Sequence, residues 1–196
     1  MKFEVGTDSS KLQPFSFSLH SIFGVRYSIF RTAVRCCENV AMRKSAGILL
    51  YRIRDKTPEL FLVHPGGPFW KGKEKGAWSI PKGEFPEDEE PLAAAKREFE
   101  EETGKKISGD FIELNPVKQK GGKLVYAWAV EGDIDASKIV SNTFKFEWPY
   151  KSGKWQSYPE VDKAGWFSIE EAREKLNPAQ VDLIDDLLAR FEKTER

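Results

Sequence analysis

The segment GEFPEDEEPLAAAKREFEEETGKKI, residues 83–107, places Glu98, Glu100, Glu101 and Glu102 in the closing turns of a predicted helix. Pro91 stands where a first-turn proline loses no intrahelical hydrogen bond, LAAAKREFEEET continues with good helix formers, and Gly104 supplies a left-handed stop. The acids are misplaced for stability. Helix carbonyls already make this end negative, so each carboxylate forgoes or opposes about 0.3 to 1 kcal/mol. Glu98, Glu101 and Glu102 fall at i, i+3 and i+4 and share one face beside the apolar stripe Leu92, Ala95 and Phe99, while Glu100 points roughly the other way. A helix that breaks its own electrostatic rule over one short region is a candidate functional element. Hard divalent cations such as Mg²⁺ or Mn²⁺ favour carboxylate oxygens and bridge to phosphates, which makes the cluster suitable ligand chemistry. The competing reading is a solvated acidic face balanced by Lys96, Arg97 and Lys105.

Upstream, AGILLYRI (46–53) and ELFLVHP (59–65) are strand-like runs joined by a charged turn. HPGGPFWKGKEKGAW (64–78) has the composition of a long exposed loop, WSIP (78–81) suits a short strand, and residues 83–88 read as a second loop. Downstream come strands in ISGDFIEL and KLVYAWAV, an irregular aromatic region around FKFEWPYKSGKWQSYPEV, then GWFS, a short helix IEEAREKL, and a last helix from about Pro178 to Glu192. Strands outnumber helices and the helices are spread along the chain, which predicts an α/β (α+β) layered domain.

The 196 residues, 40% hydrophobic, suffice for one well-buried core. Thirty-one basic and thirty-one acidic side chains cancel, so the balance calls for neither a stable nucleic-acid partner nor a membrane. No apolar run reaches the roughly 18 residues of an ordinary transmembrane helix. The adjacent Cys36 and Cys37 suit neither an intrachain staple nor a metal site, which points to a reducing compartment, the cytoplasm. Residues 1–41 read as an extension: five basic residues face three acidic ones, giving +2 and leaving −2 for residues 42–196. The favoured expectation is that translation starts at Met42 and that the preceding stretch is poorly ordered or artefactual; a Ser- and Arg-rich organelle transit peptide is the lesser alternative.

Read outward from the helix, the chain has Gly83, five residues, Glu89, seven residues, Arg97, Glu98, Phe99, one residue, Glu101, Glu102, one residue and Gly104. This resembles the box that marks Nudix hydrolases, departing only at Lys105, where an aliphatic residue is usual; Ile107 can supply that apolar contact nearby. With the WSIPKGE lead-in and the downstream EVDKAGWFSIEEA, the resemblance spans residues 42–196. It implies a mixed β-sheet sandwiched between α-helices, and Mg²⁺- or Mn²⁺-dependent hydrolysis of a nucleoside diphosphate linked to another moiety. It further implies that Glu98, Glu101, Glu102 and the Gly83 carbonyl hold metal, that Arg97 orients a glutamate, and that Glu89 and Gly104 support the box. Many such enzymes recruit a further acid shortly before the strand that Trp166 and Phe167 mark here. Glu160 is the first candidate for a base or extra ligand and Glu147 the second.

The substrate is sought in the loops. Phe69, Trp70 and Trp78 interleave with Lys71, Lys73 and Lys75, and Trp148, Tyr150, Lys151, Lys154, Trp155 and Tyr158 repeat the mixture. Aromatic rings stack on bases and lysines meet phosphates, so Trp70, Lys71, Lys73 and Tyr150 are substrate-binding candidates, joined by Lys82 at the mouth of the box. SAGILLYR and WSIPKGE are similar in flavour to the diadenosine tetraphosphate hydrolase branch, which implies a dinucleoside polyphosphate split by water into ATP and AMP. The alternatives are a nucleoside triphosphate pyrophosphohydrolase and a non-catalytic nucleotide sensor, the last disfavoured by the intact glutamates. Removal of an RNA cap would favour a broad basic stripe that this near-neutral chain lacks.

Overall fold

The computed structural model describes residues 42–194. The segment 1–41, and with it the expectations about an extension, a start site and a transit peptide, lies outside the described residues.

Strand β1 (Lys44–Arg54) is the centre of a six-stranded mixed sheet. It runs parallel to β5 (Leu124–Glu131) on one side, and β4 (Ile112–Lys118) closes that edge antiparallel to β5. The other side of β1 is shared. β2 (Thr57–Pro65) pairs with its C-terminal half, Tyr51 to Arg54, and the three-residue β3 (Lys82–Glu84) pairs with Ser45 to Gly47. Beyond β2 lies β8 (Val161–Ser168), antiparallel to it. A separate two-stranded sheet joins β6 (Thr143–Glu147) to β7 (Trp155–Pro159).

Strand alternation divides the core into two layers. Ala46, Ile48 and Leu50 of β1 pack with Phe61 and Val63 against Ala94, Ala95 and Phe99 of α1 (Pro91–Thr103). Leu49 and Tyr51 point the other way, toward Ala172 of α2 (Ile169–Lys175) and Leu183, Ile184 and Leu187 of α3 (Asp182–Thr194). This is the expected mixed sheet between helices. Phe99 is fully buried and anchors α1 to the sheet, a burial that contributes about 2 to 3 kcal/mol. Pro91 fills the first turn as expected; the cap ahead of it is Glu90, whose carboxylate accepts from the Leu92 and Ala93 amides at 3.0 and 2.6 Å. The helix ends at Gly104, in the left-handed conformation with φ 70°.

Several expected elements shift. Residues 78–81 are not a strand: Trp78 and Ser79 make isolated bridges to Leu176 and Val63, and Pro81 has no N–H to extend a ladder. The strand falls instead on Lys82–Glu84, inside what reads as loop. β4 begins and ends later than ISGDFIEL suggests, because Asn115-Pro116, ordinarily a turn signal, is absorbed as an irregularity between Leu114 and Val117 on an edge strand. The aromatic region is a regular hairpin, with Phe144 opposite Tyr158 and Phe146 opposite Gln156. Among the described residues, no helix is long and apolar enough to cross a membrane.

Candidate functional site

The site is built where α1 crosses β3. Arg97 organises it. Its Nε and Nη2 donate to the two carboxylate oxygens of Glu89 at 2.9 and 3.0 Å, and its Nη1 donates to Glu98 Oε1 at 2.7 Å and Glu101 Oε1 at 3.1 Å. The planar fork matches a carboxylate in two-point contact, so Glu89 locks the guanidinium in place and leaves Nη1 to hold the other two acids. The loop before the helix is thereby tied to the helix, and Glu89 is held below its ordinary carboxyl value by Arg97.

Gly83 lies directly under Glu98. A Cβ at this position would sit 1.9 Å from Glu98 Oε2, so any side chain there would push the Glu98 carboxylate from its place. The Glu98 side chain is 12% exposed, and burial pushes its carboxyl above the ordinary value despite Arg97. Glu102 is more strongly affected: burial pushes it up to about 8, against the pull of the Lys82 ammonium and backbone N–H, while Glu98 and Glu160 push it further up. The Lys82 N–H donates to Glu102 Oε2 at 3.2 Å.

Glu160 therefore belongs to the same electrostatic group as Glu98 and Glu102, although it lies far along the chain. Its backbone is pinned on both sides, the N–H donating to the Asn142 carbonyl and the carbonyl accepting from the Gly66 N–H, each at 2.8 Å. The other acid considered, Glu147, is engaged elsewhere: its Oε1 accepts from the Gly153 N–H at 2.6 Å and closes the β6–β7 turn.

The chemistry of this group suits a hard cation. Carboxylates held together under partial burial, and pushed toward their neutral forms by desolvation and mutual repulsion, are relieved when a divalent ion supplies the missing positive charge. Among the described residues, however, no three acidic, histidine or cysteine side chains already form a metal-binding cluster. Arg97 engages Glu98 and Glu101 through Oε1 of each, which leaves Oε2 of each to serve an ion.

The substrate-binding candidates separate. The Lys82 ammonium is buried beside Glu102, Lys123, Glu98 and Glu84, and that burial pushes it below its ordinary value. Trp70 sits in the loop after β2 with the Lys73 ammonium 5.3 Å from its ring centre. Lys71 lines a cleft against the hairpin. Tyr150 is 74% exposed at the hairpin tip.

Sequence reasoning passed over His64. It is fully buried, its Nε2 donating to the Lys73 carbonyl at 2.8 Å and its Nδ1 lying 2.6 Å from Asp162 Oδ1. It fastens the loop after β2 to the start of β8. The signal was a titratable residue inside the apolar run ELFLVHP. Glu74 fastens the same loop a second time, accepting from Trp78 Nε1, Lys163 Nζ and Lys175 Nζ at 3.0, 2.9 and 3.0 Å; the two lysines and the indole hold its carboxyl down at about 2.

A family model described as NUDIX domain matches residues 41–187. Similar solved structures include an Ap4A hydrolase of C. elegans in a binary complex, 21% identical, covering 77% of this chain and 98% of that one at a TM-score of 0.52. The NUDIX domain of Shewanella oneidensis NrtR complexed with ADP ribose is 16% identical, covering 77% of this chain and 89% of that one at a TM-score of 0.54. A mutT/nudix family protein from Listeria innocua is 17% identical, covering 78% and 95% at a TM-score of 0.52. At such identities the likeness is one of fold. No curated protein matches the sequence.

Proposed function

The chain belongs to the NUDIX family, and from that premise we propose that it hydrolyses a phosphoanhydride bond of a dinucleoside polyphosphate, diadenosine tetraphosphate being split to ATP and AMP by water attack on phosphorus. One observation carries the catalytic half of this reading. Glu98 and Glu102 are kept above their ordinary carboxyl values beside Glu160, over a glycine whose Cβ would displace the Glu98 carboxylate. A chain with no use for a cation gains nothing from maintaining that repulsion.

Glu98, Glu101, Glu102 and the Gly83 carbonyl are the groups that would hold Mg²⁺ or Mn²⁺, which when bound would neutralise phosphate oxygens and the charge that grows on the leaving phosphate. Arg97 positions Glu98 and Glu101 through its Nη1, and Glu89 positions Arg97. Glu160 takes the proton of the attacking water; its backbone, held by Asn142 and Gly66, fixes where its carboxylate can reach. The aromatic and lysine residues on the loop after β2 and on the hairpin supply stacking surfaces and positive charge for the base and phosphates.

The same acids suit release of pyrophosphate from a nucleoside triphosphate, so the products decide the substrate. The test is product analysis with Mg²⁺ against diadenosine polyphosphates, nucleoside triphosphates and nucleotide sugars, with Glu101→Gln as control. ATP plus AMP from diadenosine tetraphosphate, absent in the variant, is the expected result. Monophosphate plus pyrophosphate from triphosphates would replace the substrate and keep the site. Nucleotide binding without turnover of any substrate would make the protein a sensor.

A further inference from the structure

A cleft of about 530 Å³ opens between the loop after β2 and the β6–β7 hairpin. Its aromatic lining comes from Trp148 and Tyr158, and its polar lining from Lys71, Gln156 and Asp162. The size and mixture are those of a small-molecule site, where apolar walls supply contact area and a few polar groups set orientation. Resting on the nucleotide-hydrolase reading above, we propose that this cleft receives the base of the nucleotide substrate, with Trp148 and Tyr158 as the stacking walls.

Three observations support the assignment. First, the cleft is held open by fixed elements on both sides. The Phe69 ring packs edge-on against Trp148 and Phe146, with centroids 5.0 and 5.4 Å apart, and the loop is fastened to the domain by His64 at the Lys73 carbonyl. A site formed in advance spends little binding energy on ordering. Second, its polar groups complement a base edge. The Tyr158 hydroxyl donates to Gln156 Oε1 at 2.7 Å, which leaves the amide N–H groups of Gln156 to donate to ring nitrogens or a carbonyl. Asp162 contacts His64 through Oδ1, which leaves Oδ2 to accept from an exocyclic amine. Third, the cleft adjoins the acidic group. Pro159 and Asp162 line it, and Glu160 lies between them in sequence. A nucleotide whose base occupies this cleft has Lys71, on the same lining, to meet its phosphates.

The assignment is tested by titrating the full chain with AMP and, separately, ribose 5-phosphate, in the presence of a chelator, following the indole N–H resonances by NMR. AMP is expected to shift the Trp148 indole signal, identified from Trp148→Phe, and ribose 5-phosphate to leave it in place. Trp148→Ala and Tyr158→Ala are each expected to weaken AMP binding by about 10- to 100-fold, the range of a lost base–aromatic stack. The readout on the unaltered protein holds even if a truncated hairpin does not fold. An unmoved Trp148 signal at millimolar AMP, or AMP affinity indifferent to both substitutions, overturns the cleft assignment whatever the protein hydrolyses. AMP seated in the cleft with no phosphoanhydride cleaved keeps the assignment and overturns the hydrolytic reading.

Discussion

Replacing Glu102 with Gln in metal-free protein removes a charge that the fold resists. The side chain keeps nearly the same shape, and its amide oxygen can still accept from the Lys82 N–H. In the folded chain the Glu102 carboxyl is pushed by burial from 4.5 to about 8. An acid whose folded value lies above its unfolded value contributes stability fully below the unfolded value and loses it as pH climbs through the folded one, here between 4.5 and about 8. At about 1.4 kcal/mol per pKa unit, the ceiling on that loss is about 5 kcal/mol. The pull of the Lys82 ammonium is already contained in that value, and the neutral acid leaves the ammonium without this partner just as Gln does. Glu102→Gln is therefore expected to gain up to about 5 kcal/mol over the parent near pH 9 and to match it near pH 4. Urea unfolding with EDTA at a series of pH values measures the difference. Adding Mg²⁺ should then stabilise the parent more than the variant, by mass action on the folded state. Parallel stability curves across the whole pH range would refute the reasoning, because they would mean that the Glu102 carboxyl meets the same surroundings folded and unfolded.

Arg97→Lys keeps a positive charge but cannot grip Glu89 at two points while reaching Glu98 and Glu101, so turnover should fall by about 100-fold with the far-UV spectrum unchanged; steady-state kinetics decide it, and near-normal turnover would remove Arg97 from its positioning role. Gly66→Ala puts a Cβ 2.0 Å from the Pro159 carbonyl oxygen, so thermal or urea unfolding should show a loss of about 1 to 3 kcal/mol, and activity should fall with it, because the Gly66 N–H also holds the Glu160 carbonyl. Phe99→Ala should cost about 3 to 5 kcal/mol by emptying the contact between α1 and the sheet, measured by urea unfolding. Chelation with EDTA should abolish turnover reversibly, with Mg²⁺ or Mn²⁺ restoring it.

How much could be read in advance varies with the range of the interaction. The box helix was legible at both ends, because Pro91 and Gly104 act within a turn of themselves, although its Glu90 cap was not read. The grouping of Glu98, Glu101 and Glu102 was legible for the same reason, since helical spacing alone brings them to one face. β3 was not, because three residues opposite Ser45 to Gly47 carry no periodicity of their own. The aromatic hairpin hid behind Trp148-Pro149 and Gly153, which read as breaks in a strand pattern and instead lie in the turn between two strands. Glu160 was found through the family resemblance; what brings it to Glu98 is the pairing of β8 with β2, a contact across the chain that local pattern does not announce. His64 escaped because its partners, Asp162 and the Lys73 carbonyl, are supplied by other segments.

That long-range pairing also sets an order of events in time. Glu59 lies opposite Ser168, whereas β1 meets β2 across a short turn at Asp55 and Lys56. During synthesis the β1–β2 hairpin and the box helix have their mutual partners early, and β8 emerges only after β5, which completes the parallel pair with β1, and the aromatic hairpin. The glutamates of the box are thus assembled before Glu160 arrives, so a nascent chain carries the acidic helix well before the last acid of its site. Premature termination between Gly104 and Glu160 leaves the box in the chain, an edge of β2 uncovered and Glu160 missing.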